Sequence, residues 1–374
     1  MWKKSKPIYV LGLNEALGAG AALLKNGKIV AKAREDHFTK IKNQSGFPKN
    51  AIHYCCRIAG IAIHELNLIC LSYIDPYPHF TTAQSVELPD TTPKLLRKWR
   101  DLAPRWEYQF SWFNYVTDTG RRLYYAAFQP QNQEQQIRDI ATSLKLDPKK
   151  IIRLDHHLCH AYTAYFSRPH LSSNPTLVLT CDGAGDGTSA AVYIVENGQF
   201  HCLSQTSHTH SLGLFYASIT AFLGFIPHKE EARVMQLARA TARHNFQKII
   251  KLLQKLIWVE GLQFKSQIPS RHFDFYLREK LAGLNPDIVA CAAQKILEDS
   301  LTTWVKNAVT QTKIHELALA GGVFLNTRAN QKIAKLQSVK DMHIAPNPGD
   351  ESNALGAAFY GYRKLKARSS AQGG

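Results

Sequence analysis

One pattern occurs twice in this chain, and it constrains the fold more than any other feature. The first copy reads "IYVLGLNEALGAGAALLKNGKIVAKARED" and the second "TLVLTCDGAGDGTSAAVYIVENGQFHCLSQ". Each opens with an apolar run ending in a short polar residue, Asn14 or Asp182, and bends through glycines at Gly18–Gly20 or Gly183–Gly187. An Ala-Ala pair then leads into a second apolar run, which closes on Asn26-Gly27 or Asn197-Gly198. Asn-Gly between apolar runs is the strongest short hairpin signal. The pattern therefore predicts strand, glycine turn, strand, tight turn, strand, twice over. Helical periodicity follows each copy, in "PKNAIHYCCRIAGIAIHEL" and in "GLFYASITAFLGF". Two such halves face to face would aim two glycine loops at one cleft. Without Cβ atoms, backbone N–H groups there can approach phosphate oxygens.

Two later segments also run from a strand through a loop into a helix. "HELALAGGVFLNTRANQKIAK" runs an apolar strand into Gly321-Gly322 and then a helix carrying Asn326 and Asn330. Bare backbone at a strand end is a surface on which a flat ring such as adenine can lie. "MHIAPNPGDESNALGAAFYGY" places Asp350 and Glu351 at a helix N-terminus, followed by Ala354, Gly356, Ala357 and Ala358, small enough for close helix packing.

The stretch "DHHLCHAYTAYF" sets His156 and His160 four apart. On a helix they share one face, one turn apart, within reach of a single metal ion, while His157 points elsewhere. Such a pair on an apolar helix is often structural. Two loop aspartates, Asp182 and Asp350, are available to complete a ligand set. Two imidazoles with two carboxylates suit iron, zinc or manganese.

Composition narrows the class. The 374 residues are 45% hydrophobic and 20% charged, as in globular proteins, and no apolar run approaches the roughly 20 residues that span a bilayer. The start, "MWKKSKPIYVLGLNEALG", reads as a strand entering a glycine loop rather than a secretory signal. Seven cysteines without a CxxC pair fit reduced thiols and a cytoplasmic protein. The formal charge of +17 attracts phosphates. Part of it lies in "PKLLRKWRDLAPRWEYQFSWFNYVTDTGRRLYY", where basic residues alternate with aromatics. That texture suits single-stranded nucleic acid or an amphipathic helical insertion. The second is preferred, because no nucleic-acid-binding signature accompanies the charge.

Six stretches, in order, resemble the O-carbamoyltransferases of the NodU/CmcH type. They are "HFTKIKNQSGFPKNAI", "DHHLCHAYTAYF", "CDGAGDGTSA", "SLGLFYASITAFLGF", "LAGGVFLNTRAN" and "PGDESNALGAAFY", and the likeness runs from about Ile8 to Tyr362. The resemblance implies an actin-like α/β fold with duplicated lobes around a central cleft. It also implies carbamoyl transfer from carbamoyl adenylate, made from ATP, to a hydroxyl of a sugar or small-molecule acceptor. Carried over by motif, the metal ligands are His156, His160, Asp182 and Asp350, with Glu351 in reserve and iron first among the metals. His156, His160 and Asp182 become the catalytic candidates. Gly183 and Gly185 fall near the phosphate, and Gly321, Gly322 and Asn326 near the adenosine.

Three departures qualify the likeness. Family members carry a His-Asp pair where this chain has Leu17 and Gly18, replacing a polar site by an aliphatic one. A stretch resembling "EEYKVMGLAPYG" reads "EEARVMQLARATAR", with Arg233, Gln236 and Arg239 at altered positions. The family also continues into a YrdC-like domain that makes carbamoyl adenylate, whereas here "ALGAAFYGYRKLKARSSAQGG" ends in a short basic and polar tail. The expected partner is a separate YrdC-like or other carbamoyl-adenylate-forming protein, in a homo- or hetero-oligomer. The expected lobes are 1–175, with the insertion at about 76–136 setting acceptor or partner specificity, and 176–362, with 363–374 as a basic, polar tail. An active transferase ranks first and a catalytically degenerate scaffolding or regulatory subunit second. A nucleic-acid modifier ranks well behind, and no membrane role is expected.

Overall fold

The computed structural model describes residues 6–74, 105–110, 117, 119, 133–171, 174–240 and 246–371. The first sequence copy forms β1 (Tyr9–Asn14), β2 (Gly20–Lys25) and β3 (Lys28–Arg34). Helix α1 (Lys49–Ala59), β4 (Leu68–Leu71), β5 (Ile151–Arg153) and α2 (His156–Phe166) follow. The second copy forms β6 (Thr176–Gly185), β7 (Thr188–Glu196) and β8 (Gln199–Ser207), then α3 (Leu212–Phe222). After α4 (Glu231–Ala240), α5 (Gln247–Leu253) and a short hairpin of β9 (Trp258–Glu260) and β10 (Gln263–Lys265) come α6 (Phe273–Leu281) and α7 (Pro286–Thr312). β11 (Glu316–Ala320), α8 (Thr327–Ala334), β12 (Asp341–Ile344) and α9 (Asn353–Ala371) complete the chain.

The two halves share one topology. The first sheet runs β3-β2-β1-β4-β5 and the larger second sheet β12-β11-β6-β7-β8, which is the same order read from the other edge. In each, three antiparallel strands are extended by two parallel ones. The Asn-Gly turns adopt the left-handed conformation that tight hairpins require, with φ of 51° and 80° at Asn26 and Gly27 and of 53° and 75° at Asn197 and Gly198.

Strand alternation decides what each sheet face touches. On β1, Tyr9, Leu11 and Leu13 pack outward against Ala51, Ile52 and Cys55 of α1. Val10 faces the other way, toward α9. On β6, Leu177, Leu179 and Cys181 face the core built on α3 and α7, while Val178 packs against α2. Each such buried aliphatic side chain contributes about 1.5–3 kcal/mol. Between the sheets lie two helices in contact, α2 and α9. Helix α9, from the end of the chain, packs on the first sheet, and α2 packs on the second. A Cβ on Gly12 would stand 1.8 Å from the Ala354 carbonyl oxygen, and one on Gly356 1.8 Å from that of Cys159. These two glycines let α9 sit directly on β1 and on α2, as the small residues after Asp350 predict.

Much of the basic aromatic insertion falls outside the described residues. Its described part at 105–110 reaches the second half of the molecule. Arg271 Nε donates to Glu107 Oε2 at 3.1 Å, and Tyr108 donates to Glu279 Oε2 at 2.6 Å while stacking on Phe275. Residues 363–371 continue α9 as helix. Among the described residues, no helix is long and apolar enough to cross a membrane.

Candidate metal centre and cleft

The strand alternation that turns Val178 toward α2 also turns Thr180 and Asp182 that way. Thr180 Oγ1 bonds His157 Nδ1 at 2.8 Å, and His157 Nε2 lies 3.1 Å from the Thr188 carbonyl oxygen. Burial, with the neighbouring imidazoles, holds His157 well below the ordinary histidine range, so it is a neutral structural residue pinning α2 to the second sheet. Helix α2 begins at His156, capped by Asp155, whose side chain accepts from the Leu158 N–H at 2.7 Å. One turn on, His160 joins His156 on the face toward Asp182, and both are fully buried.

Four side chains converge there. His156, His160, Asp182 and Asp350 each offer one ligand atom, all within 4.8 Å of one another. The two Nε2 atoms are 3.1 Å apart. Asp182 Oδ2 lies 3.0 Å from His160 Nε2 and 3.8 Å from His156 Nε2, and Asp350 Oδ1 lies 3.4 and 3.5 Å from the same atoms. The carboxylates are 18% exposed, so the cluster opens on the carboxylate side. Burial opposes charging His160, but Asp182 and Asp350 outweigh it and raise its pKa to about 9. Burial likewise opposes ionising Asp182, yet the two histidines hold it well below the usual carboxylate range.

The glycine loops hold this cluster. A Cβ on Gly185 would stand 2.2 Å from His156 ring carbons. Gly183 N donates to Asp182 Oδ1 at 2.6 Å, and Gly322 N donates to Asp182 Oδ2 at 3.2 Å. Gly321, at φ 105°, is pressed so close to β6 that a Cβ would stand 2.1 Å from the Cys181 carbonyl oxygen. Asn326 caps α8, its Oδ1 accepting from Ala329 N at 3.1 Å and from Gln294 Nε2 at 3.0 Å, and its Nδ2 donates to Gln294 Oε1 at 2.9 Å. This network is buried.

Adjacent Asp350 and Glu351 diverge. Asp350 turns to the histidines, whereas Glu351 packs on the first glycine loop, 3.1 Å from where a Cβ of Gly18 would lie. Burial, with the nearby charges of Asp350 and Asp182, raises the Glu351 carboxyl. The Leu17 carbonyl oxygen accepts from Asn14 Nδ2 at 3.1 Å. Gln236 and Arg239 are exposed on α4, and Arg233 lies over the Phe225 ring at 4.3 Å.

Sequence reasoning missed three supporting residues. Asn353 Nδ2 lies 3.2 Å from both His156 Nδ1 and His160 Nε2. Asp186 accepts from the His156 N–H at 2.8 Å and from the Ile74 N–H at 3.1 Å. Tyr73 donates to Asp350 Oδ2 at 3.2 Å. Asp186 and Asn353 lie inside the quoted motifs, beside Asp182 and Asp350; Tyr73 carries no sequence signal.

A family profile described as Carbamoyltransferase N-terminus matches residues 10–359. The chain belongs to this carbamoyltransferase family. The Synechocystis protein sll1178 is 25% identical over 94% of this chain and 56% of its own length. Nodulation protein NolNO of Sinorhizobium fredii is 24% identical over 91% of this chain and 45% of its own. The chain thus spans about half the length of these relatives. Among solved structures, HypF of T. kodakarensis aligns with 96% of this chain and 49% of its own, at 14% identity and a TM-score of 0.50. The fold is the actin-like one, two similar lobes facing across a cleft.

Proposed function

We propose that this carbamoyltransferase chain moves a carbamoyl group from carbamoyl adenylate to a hydroxyl of a sugar or other small molecule, at a metal held by His156, His160, Asp182 and Asp350. The observation that carries the reading is the convergence of two buried imidazoles and two part-buried carboxylates in a family member. Their chemistry fits a divalent transition metal. Asp350 Oδ1 is buried with no hydrogen-bond donor, and two imidazole nitrogens face each other at 3.1 Å, an arrangement that a shared cation satisfies. Imidazole with carboxylate suits iron, with zinc and manganese as alternatives. Such an ion, when bound, supplies a Lewis acid for the donor's carbamoyl or phosphate oxygens.

The chain's own residues shape the rest. Gly183 presents no side chain to the cleft, and a Cβ there would meet only Leu214 and His228 at 3.7 and 4.0 Å. The donor phosphate is proposed to lie along Gly183 and Gly185. The adenosine is proposed to lie against Gly321 and Gly322, whose backbone also fixes Asp182 through the Gly322 N–H. Asn326 would act here mainly by holding α8, since its amide is engaged with Gln294 and Ala329. The donor is proposed to come from a partner of the YrdC-like or another adenylate-forming kind.

A second reading, a subunit that keeps the site without turnover, is favoured by Leu17 and Gly18 in the first loop. One experiment separates the two. The purified protein is given carbamoyl adenylate and a panel of hydroxyl acceptors, beside His156→Ala. Transfer that disappears in the variant supports the transferase. Metal bound at unit stoichiometry with no transfer, even with a donor-forming partner present, favours the second reading.

A further inference from the structure

We propose that Tyr73 is the positioning residue for the metal cluster, holding one oxygen of Asp350 so that the other alone faces the histidines. This inference rests on the metal reading above. The two oxygens of Asp350 have different surroundings. Oδ2 accepts from the Tyr73 hydroxyl at 3.2 Å. Oδ1 has no hydrogen-bond donor and lies 3.4 and 3.5 Å from the Nε2 atoms of His160 and His156. The phenol thereby makes Asp350 a one-oxygen ligand with a fixed direction. Outer partners of this kind orient metal ligands and tune their affinity.

Tyr73 is itself held at several points. Its ring centroid lies 4.5 Å from that of His156, tilted by 41°, so one side chain touches two members of the cluster. Arg153 Nη1 donates to its carbonyl oxygen at 3.0 Å. The preceding residue, Ser72, donates its N–H to the Leu13 carbonyl oxygen at 3.0 Å and its hydroxyl to Asn14 Oδ1 at 3.0 Å. The following residue, Ile74, donates its N–H to Asp186, the same carboxylate that accepts from the His156 N–H. The segment 72–74 thus joins β1, the second glycine loop and the first turn of α2 around one phenol. It also begins the connection between β4 and β5.

The test is metal affinity, measured by competition with a chelator for iron(II) or zinc, on the full chain. Tyr73→Phe keeps the ring on His156 and removes only the hydroxyl, and about 10–100-fold weaker binding is expected. Ser72→Ala is the comparison, because it removes one hydrogen bond that holds the segment, that to Asn14, and leaves the phenol in place, and clearly less weakening than in Tyr73→Phe is expected. Tyr73→Phe binding as tightly as wild type overturns this inference and leaves the metal reading standing. Equal weakening in Ser72→Ala also overturns it, since the effect then belongs to the segment and not to the phenol. A wild type that takes up no metal overturns both.

Discussion

Gly185 and His156 are built against each other: a side chain at 185 would stand 2.2 Å from both Cγ and Cδ2 of the imidazole. The second glycine loop is thus a seat for this imidazole as well as a turn. Gly185→Ala should swing His156 out of line with His160, weakening metal binding by at least about tenfold, since displaced ligand orientation costs that much. The overpacking should also lower stability by about 1–3 kcal/mol. Thermal unfolding and metal titration of the same variant check both. Unchanged metal affinity would show that His156 is held by other means.

The buried cluster makes metal-free protein sensitive to pH. The carboxylates raise His160 from an ordinary 6.5 to about 9, so its contribution is fully present below pH 6.5 and is lost as pH rises through about 9. Asp182 is depressed, so its contribution is present above an ordinary 3.8 and is lost as pH falls through its lower folded value. Both describe one set of contacts and are counted once. The cluster therefore stabilises metal-free protein most between about pH 4 and 6.5, and that stabilisation, roughly 3 kcal/mol, should fade toward alkaline pH. Metal must displace the His160 proton, so its affinity should rise about tenfold per pH unit until about pH 9. Chelator competition across this range checks the slope, and a flat profile would contradict the coupling.

Asn326 is tied to Gln294 by two amide hydrogen bonds and caps α8 at Ala329. Asn326→Ala should remove a cap worth about 1 kcal/mol and two hydrogen bonds worth about 0.5–1.5 kcal/mol each, while Gln294 keeps Tyr216 and Glu298 as partners. A lowered denaturation midpoint is the expected result. A variant with wild-type stability but weakened nucleotide binding would instead make Asn326 a direct nucleotide contact.

Much of this was legible in the residues. The duplicated grammar sets the two-sheet topology because strand alternation and Asn-Gly turns are local properties, readable without knowing the partner strand. The convergence of His156, His160, Asp182 and Asp350 was legible for a similar reason: helical spacing pairs the histidines, and each aspartate ends a strand-to-loop passage. The choice between Asp350 and Glu351 was not, because a single helical turn at Asp350–Ser352 decides which carboxylate faces α2. Nor was the service of Gly322 to Asp182, since two distant loops meet only once β6 and β11 pair. Tyr73 was hidden because its partner lies 277 residues away and no spacing rule connects them. Gln236, at one of the altered positions, is exposed on α4, whose buried face is Val234 and Ala238.

Metal content tests the central claim most directly. Protein purified without added metal, wild type beside the His156→Ala/His160→Ala double variant, is assayed for transition metals by elemental analysis. About one equivalent in the wild type, absent from a folded double variant, is the expected result. A wild type that is empty and stays empty after anaerobic iron(II), zinc or manganese reconstitution would make the buried quartet a structural ion-pair network and contradict the account.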